Sequence, residues 1–337
     1  MNYIGSKYSL IDFLQETIER VTGFIRGNNH IFADLFAGTG IVGSTFREKG
    51  YKVISNDIQY YSYVLNKHFI ECDDDLYISW INDLNNIGGF EGFIYNNYCA
   101  GSGSNRNYFE NDNGKKCDAI RIELNKLLQE EKITESMYFS LLASLINSID
   151  KYANTASVYG AFLKHLKKSA QKKFELEPLP MIEGPKGIVY NEDINFLIRN
   201  IAGDILYLDP PYNARQYCTN YHVLETISKY DNPILKGKTG LRDYAEQKSL
   251  FCSRKTVATV FEDLIANANF KYIFLSYNNE GLLDLEEIQS IMSKYGKYEF
   301  YTQDYKRFKA DKDENRNISA KSTTEYLHCL IKENYIG

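Results

Sequence analysis

The 337-residue chain has no paired cysteines: its six stand singly at Cys72, Cys99, Cys117, Cys218, Cys252 and Cys329. There is no C-x-x-C, and the five histidines fall at no ligand spacing. That excludes a disulfide framework and a zinc ribbon, and it predicts a reduced, cytoplasmic protein without a metal. No long apolar run is present, and Asp12, Glu16 and Glu19 interrupt the amino-terminal one, so neither a signal sequence nor a membrane span is expected. An excess of positive charge is missing too. The formal net charge is −5 and the pI about 5.7, so any surface for nucleic acid must be local. Proline is scarce, six residues in all, yet two of them adjoin at Pro210-Pro211.

At this length one core rarely suffices, and two compact units are expected. Strand and helix signals alternate at both ends of the chain. Residues 8–21 read as an amphipathic helix and Ile31–Phe36 as a buried strand; a helix from Ile41 to about Lys49 and a strand Lys52–Ser55 follow. The alternation resumes with Ile188–Tyr190, Ile205–Leu208, Tyr272–Ser276, Tyr298–Thr302 and Thr324–Ile331. Such a pattern implies an α/β fold with a doubly wound, Rossmann-like sheet, whose ligands sit at the carboxyl ends of its strands. Between these parts, about 71 to 185, lie a glycine- and asparagine-rich stretch, two long helical patterns near 117–131 and 135–150, and a lysine-rich run. This reads as a mainly helical insertion, dividing the chain into 1–70, 71–185 and 186–337.

Two loops carry chemistry. Gly38-Thr39-Gly40-Ile41-Val42-Gly43 fits G-x-G-x-x-G between a strand and a helix, where glycines let the backbone approach a ligand at the helix amino terminus. Asp57 closes the next strand, where an acid binds ribose hydroxyls. This describes a nicotinamide dinucleotide site equally well. Phe36 before the loop, however, suits packing against an adenosyl-amino-acid ligand.

The second loop is Asp209-Pro210-Pro211-Tyr212, directly after Ile205–Leu208. Two prolines fix φ and make the turn stiff. The Asp209 carboxylate and the Pro210 carbonyl together can accept both hydrogens of one exocyclic amino group, and Tyr212 offers a face for stacking, worth about 1–3 kcal/mol per base. The bland alternative is a strand ending in an ordinary Asp-Pro turn. Hydride transfer has no use for this tetrapeptide, which weighs against a dehydrogenase.

Together, Asp34-Leu35-Phe36-Ala37-Gly38-Thr39-Gly40 and Asp209-Pro210-Pro211-Tyr212 resemble the Dam-type DNA adenine methyltransferases, which include restriction–modification enzymes. The opening Tyr3-Ile4-Gly5-Ser6-Lys7 is similar to that family's amino-terminal cofactor motif, and the parts come in the family's order. The resemblance covers most of 1–70 and 186–337 and implies S-adenosylmethionine as cofactor and double-stranded DNA as substrate. It further implies a cognate restriction endonuclease as a possible companion and a bacterial, nucleoid-associated location. Asp34, Gly38 and Gly40 would form the cofactor loop, Phe36 would pack on the ligand, and Asp57 would take its ribose hydroxyls. Asp193 with Ile194 matches the cofactor-adenine position and Lys7 the lysine near the methionine moiety; otherwise Lys7 is an exposed residue opening the first helix, with Ser6 as cap. A seven-stranded sheet with an antiparallel last strand is implied, and the insert becomes the target-recognition domain. The catalytic residues would be Asp209, Pro210, Pro211 and Tyr212.

Cytosine ring-carbon methyltransferases share the glycine loop but use a cysteine after a proline, and no Pro-Cys pair occurs here. Amino-cytosine methylation usually places serine where Asp209 stands. RNA adenine methylation, a dehydrogenase and a silent DNA-binding module remain as alternatives. In the insert, Arg106, Tyr108, Lys115 and Lys116 are expected in a polar loop, and Lys164, Lys167, Lys168, Lys172 and Lys173 recur at near-helical spacing, as a phosphate-binding stripe or a solvated face. Asn154-Thr155 and Tyr159 read as DNA contacts or as a helix cap. Asn213, Arg215, Tyr217 and Lys236-Gly237-Lys238 follow the tetrapeptide, and Lys306-Arg307-Phe308-Lys309 and Arg316 lie between the last strands; all are candidates to line the DNA.

Overall fold

The computed structural model describes residues 7–306, 322–333 and 335. They form two compact units. One takes residues 7–58, Ile182–Gln216 and the described residues from Gln247 on; the other takes Gln59–Met181 with Tyr217–Glu246.

The first unit carries a seven-stranded sheet built from β1 (Ile31–Asp34), β2 (Lys52–Asn56), β3 (Ile188–Tyr190), β4 (Ala202–Leu208), β5 (Asn269–Asn278), β6 (Gly296–Lys306) and β7 (Ser322–Lys332). The strand order is β3-β2-β1-β4-β5-β7-β6, with β1 to β5 parallel and β7 antiparallel to both of its neighbours. This is the doubly wound sheet with an antiparallel last strand that the sequence and the resemblance imply. In β4, Ile205 and Tyr207 face one side and Leu206 and Leu208 the other, and all four are buried, as a central parallel strand requires. Leu206 and Leu208 join Ala33, Leu35, Ile273 and Leu275 in a core that also takes Phe261, Leu264 and Ile265 from the helix Val257–Asn267. Each large apolar side chain buried this way contributes about 1.5–3 kcal/mol. On the opposite face Phe32 stacks on Phe46 of the helix Ile41–Glu48, with ring centroids 3.8 Å apart. Gly203 lets β4 pass its neighbours, because a Cβ there would lie 2.6 Å from Ile31 Cγ2 and 2.8 Å from a Phe270 ring carbon.

The sheet order reverses between β1 and β4: from β1 the chain builds outward through β2 and β3, then returns to place β4 and β5 on the other side. Ligands in such sheets sit at the carboxyl ends of the strands flanking this reversal. Here those ends are the glycine loop after β1 and the proline turn after β4, with Asp34 and Tyr207 in register.

The second unit is mainly helical. Helices Tyr60–Asn66, Asn111–Gln129, Glu135–Lys151 and His222–Lys229 bury Tyr61, Leu124, Leu142, Ile146, Leu224 and Ile227 in one core. Its boundaries differ from the expected 71–185. Tyr61, Val64 and Leu65 belong to this core, as do Tyr221, Val223 and Leu224 from beyond the proline turn. Residues 182–185 instead go with the sheet, where Gly184 adopts φ +132° and its carbonyl accepts from the Arg47 guanidinium at 3.4 Å. The long helix starts earlier than expected because Glu110 caps it, accepting from the Asp112 N–H at 2.7 Å. No helix forms over 164–173.

Candidate active site

β1 ends at Asp34, two residues before the expected Phe36, because the chain there turns into the glycine loop. Gly38 and Gly40 hold φ of +52° and +82°, left-handed values that favour glycine, and Gly40 is the residue from which the helix Ile41–Glu48 starts. The loop is tied to β2: the Ala37 N–H donates to Asn56 O at 3.0 Å and the Gly38 N–H to Asp57 Oδ2 at 2.8 Å. Beneath the loop, buried Asp34 accepts from the Gly43 N–H at 3.2 Å. Burial, with the charge of Asp209 adding to it, pushes the Asp34 carboxyl up to about 8. Phe36 is half-buried, edge-on to Phe251 at 5.2 Å. Asp193 caps the turn Ile194–Leu197, accepting from the Asn195 and Phe196 N–H groups at 2.9 and 3.2 Å. Ile194 is buried in the sheet core, and Phe196 is the exposed apolar side chain of that turn.

The proline turn opens on an ion cluster. Lys7 is 3% exposed, which excludes its reading as a solvated residue opening the first helix; that helix begins with a 3-10 turn, Lys7–Leu10, before Ile11–Thr22. Tyr3, Ile4, Gly5 and Ser6 lie outside the described residues. Lys7 Nζ stands 3.1 Å from Asp209 Oδ1 and 2.8 Å from Glu325 Oε1, and it touches the Tyr212 hydroxyl. The Tyr212 hydroxyl donates to Asp209 Oδ1. Ser276 Oγ donates to Glu325 Oε1, whose companion Oε2 is buried without a hydrogen-bond partner among the described residues. The Tyr212 ring packs edge-on against Tyr277 at 5.1 Å, and its carbonyl accepts from the Leu282 N–H at 2.9 Å. These contacts hold the turn.

Two carboxylates thus share one ammonium in a buried place. Burial drives the Asp209 carboxyl upward, Lys7 pulls it down, Glu325 pushes it up again, and it comes to rest at about 6. Burial alone would lower the Lys7 ammonium, but Asp209 and Glu325 outweigh it and raise it. The Tyr212 phenol is held well above its ordinary range, first by burial and then by the two acids. Glu325 escaped the sequence reading. Its only signal is a charge within the strand Thr324–Ile331, and β7 brings it into place because Glu325 pairs with Asn278 at the carboxyl end of β5.

The expected DNA contacts fare unevenly. Asn213 and Arg215 are exposed beyond the tetrapeptide, the Asn213 side chain accepting from the Arg215 N–H at 2.9 Å; Tyr217 is half-buried in the helical unit. Asn154 is fully buried, and its amide is spent internally: it donates to Asn107 O and Leu163 O at 2.9 and 3.0 Å and accepts from the Lys167 N–H at 3.0 Å. These contacts brace the chain around it. Arg106 donates to Lys238 O, Gly237 O and Asn97 O at 3.2, 3.2 and 3.1 Å, pinning the turn that displays exposed Lys236 and Lys238. Tyr108 is buried, and its hydroxyl donates to Tyr159 O at 2.6 Å. Lys115 and Lys116 lie on the helix Asn111–Gln129 and not in a loop; Lys115 pairs with Glu91 at 2.7 Å and Lys116 donates to Asn85 O at 2.8 Å. With no helix over 164–173 there is no helical lysine stripe, and Lys167 donates to Thr155 O at 2.9 Å. The side chains from Lys306 to Lys309 and of Arg316 lie outside the described residues.

Among the described residues, no group of three His, Cys, Asp or Glu side chains could hold a metal ion, and no helix is long and apolar enough to cross a membrane. A family model described as D12 class N6 adenine-specific DNA methyltransferase matches residues 3–291. The Type II methyltransferase M.NlaIII of Neisseria lactamica is 52% identical over 335 residues, which is 98% of this chain and 99% of that protein. M.CviAII of Paramecium bursaria Chlorella virus 1, also a Type II methyltransferase, is 38% identical over 92% of this chain and 93% of its own. The Type II methyltransferase M.FokI of Planomicrobium okeanokoites is 41% identical over 99% of this chain, which spans about half, 53%, of that protein. Among solved structures, TehB from Haemophilus influenzae aligns over 98% of this chain and 66% of its own at 10% identity and a TM-score of 0.38, too slight a likeness to carry weight.

Proposed function

Since the chain belongs to the D12 class N6 adenine-specific DNA methyltransferases and methylates adenine in DNA at specific sites, we propose that it takes the methyl group from S-adenosylmethionine and delivers it at the Asp209-Pro210-Pro211-Tyr212 turn. The observation that carries this reading is the adjacency of β1 and β4. It puts the glycine loop and the proline turn on neighbouring strands at the point where the sheet order reverses.

The residues of the loop fit that cofactor. Gly38 and Gly40 put backbone without side chains at the strand-to-helix turn, and Asp57, fixed by the Gly38 N–H, is the acid for vicinal ribose hydroxyls. Phe36 offers a half-buried ring, and Asp193 with the exposed Phe196 ring offers a polar edge and an apolar face for an adenine. When bound, S-adenosylmethionine supplies an electrophilic methyl on a sulfonium.

An adenine amino nitrogen is a poor nucleophile because its lone pair is delocalised into the ring. Asp209 and the Pro210 carbonyl each accept one of its hydrogens, which localises the lone pair and aims it. Tyr212 stacks on the base and offsets part of the few kcal/mol needed to flip the nucleotide from the duplex. Orientation and fixed charge then do the remaining work in an in-line displacement, without a covalent enzyme intermediate. The unit formed by Gln59–Met181 and Tyr217–Glu246 reads the target sequence, with Lys236 and Lys238 on their Arg106-pinned turn binding phosphates, and Asn213 and Arg215 accompany the base. A restriction endonuclease of the same specificity is the expected companion.

Purified protein given radiolabelled S-adenosylmethionine and duplex DNA, with RNA as the control, tests the reading. Label recovered as N6-methyladenine from duplex DNA supports it; label in RNA alone, or none, overturns it.

A further inference from the structure

Glu325 lies outside the glycine loop and the proline turn, yet it is fully buried and shares Lys7 with Asp209. A buried carboxylate with one oxygen unpartnered among the described residues is costly to keep. The fold nevertheless holds it on β7, directly beside the site. Resting on the reading that Asp209 receives the adenine amino group, we propose that Glu325 is a positioning residue for the transfer. It draws Lys7 off Asp209 and leaves the cluster one negative charge in excess, so that Asp209 takes the proton the amine sheds.

The geometry gives the reason. Lys7 is closer to Glu325 than to Asp209, 2.8 against 3.1 Å. With Glu325 absent, the ammonium would pair with Asp209 alone, occupying the oxygen that the amino group needs and making that carboxylate a reluctant proton acceptor. The groups facing Asp209 are Lys7 from the 3-10 turn, Asp34 from β1, Tyr207 from β4, Tyr212 from the turn and Glu325 from β7. Ser276 on β5 faces Glu325 and does not titrate. Asp34 and the two phenols are held toward their neutral forms, so the working charge is Lys7 against the two acids.

In the reaction the amine lone pair forms the bond to the methyl carbon, and the bond from that carbon to its carrier breaks, the pair staying on the carrier. The nitrogen now bears a positive charge and gives one proton to Asp209. N6-methyladenine leaves neutral, Asp209 is a neutral acid, and Lys7 and Glu325 balance. The proton passes to solvent once the product has gone.

The test is the pH profile of single-turnover methyl transfer to duplex DNA, for the full chain and for Glu325→Gln and Glu325→Asp. The unaltered protein must first make N6-methyladenine; if it does not, the proposed function fails whatever Glu325 does. Its rate should fall as pH drops through about 6. Glu325→Gln should lose about ten-fold or more at pH 8 and move this acid limb lower by about one unit, because a like charge has been removed. Glu325→Asp keeps the charge, so its limb should stay while its rate falls. A folded Glu325→Gln protein with an unmoved limb, or with an undiminished rate, overturns the role. If Glu325→Gln does not melt cooperatively, Glu325→Asp decides: a moved limb or an undiminished rate in that variant overturns the role.

Discussion

The Tyr212 hydroxyl donates to Asp209 Oδ1, the same oxygen that Lys7 approaches at 3.1 Å. On the proposed mechanism an incoming amino group exchanges one hydrogen bond for another and does not meet a bare buried carboxylate. The Tyr212 bond also holds the Asp209 carboxyl down. Tyr212→Phe keeps the ring and loses that bond, so the acid limb of the rate should move to higher pH while KM for DNA does not rise. Tyr212→Ala loses the stacking face, about 1–3 kcal/mol, and kcat/KM should fall roughly ten- to hundred-fold. Steady-state methyl transfer across pH measures both.

Asp209→Ala removes the proposed acceptor. Transfer should fall by at least on the order of 10²–10³, while calorimetry with S-adenosylmethionine gives an affinity close to that of the unaltered protein. Near-normal turnover in this variant would sink the mechanism.

Asp34 should set a pH dependence of stability. Its folded carboxyl titrates at about 8, far above an unfolded aspartate near 4. Across that window the folded protein holds a proton that the unfolded chain has lost. The contribution is therefore full below about pH 4 and is lost as pH rises through about 8. Asp34→Asn, which can still accept from Gly43, should melt several degrees higher than the unaltered protein at pH 8 and no higher near pH 4. Scanning calorimetry at the two pH values decides it.

Asn154→Ala separates brace from reader. Three hydrogen bonds at a fully buried amide are lost, at roughly 2–4 kcal/mol in unfolding free energy. The set of methylated sites should not change. Denaturant titration and sequencing of modified DNA check the two halves; altered specificity at unchanged stability contradicts the assignment.

Gly40→Asp puts a side chain at φ +82°, at a cost of about 1–2 kcal/mol, and a negative charge into the glycine loop proposed to hold the cofactor. Cofactor binding should disappear from the calorimetric trace. An unchanged affinity counts against the loop as the binding site.

What could be read in advance followed chain order. The glycine loop, Asp57 and the proline turn each announce themselves because strand, turn and ligand group are contiguous, and the alternation of apolar segments orders the parallel strands. Glu325 could not be found this way: its place depends on β7 entering antiparallel between β5 and β6, a pairing that no local pattern encodes. Tyr217–Glu246 was likewise hidden. The apolar spacing of Tyr221, Leu224 and Ile227 shows that they face a core but not which one. For Asn154 and Arg106 the sequence leaves both roles open, because polarity in a loop is common to recognition and to bracing. The internal partners of both side chains come into view only in the folded structure.

Lys7 and Glu325 are 318 residues apart along the chain. During synthesis the glycine loop and the proline turn are complete long before β7 leaves the ribosome, yet the ion cluster has no second acid until then. A nascent chain that has not yet released β7 thus carries both loops without the finished charge arrangement.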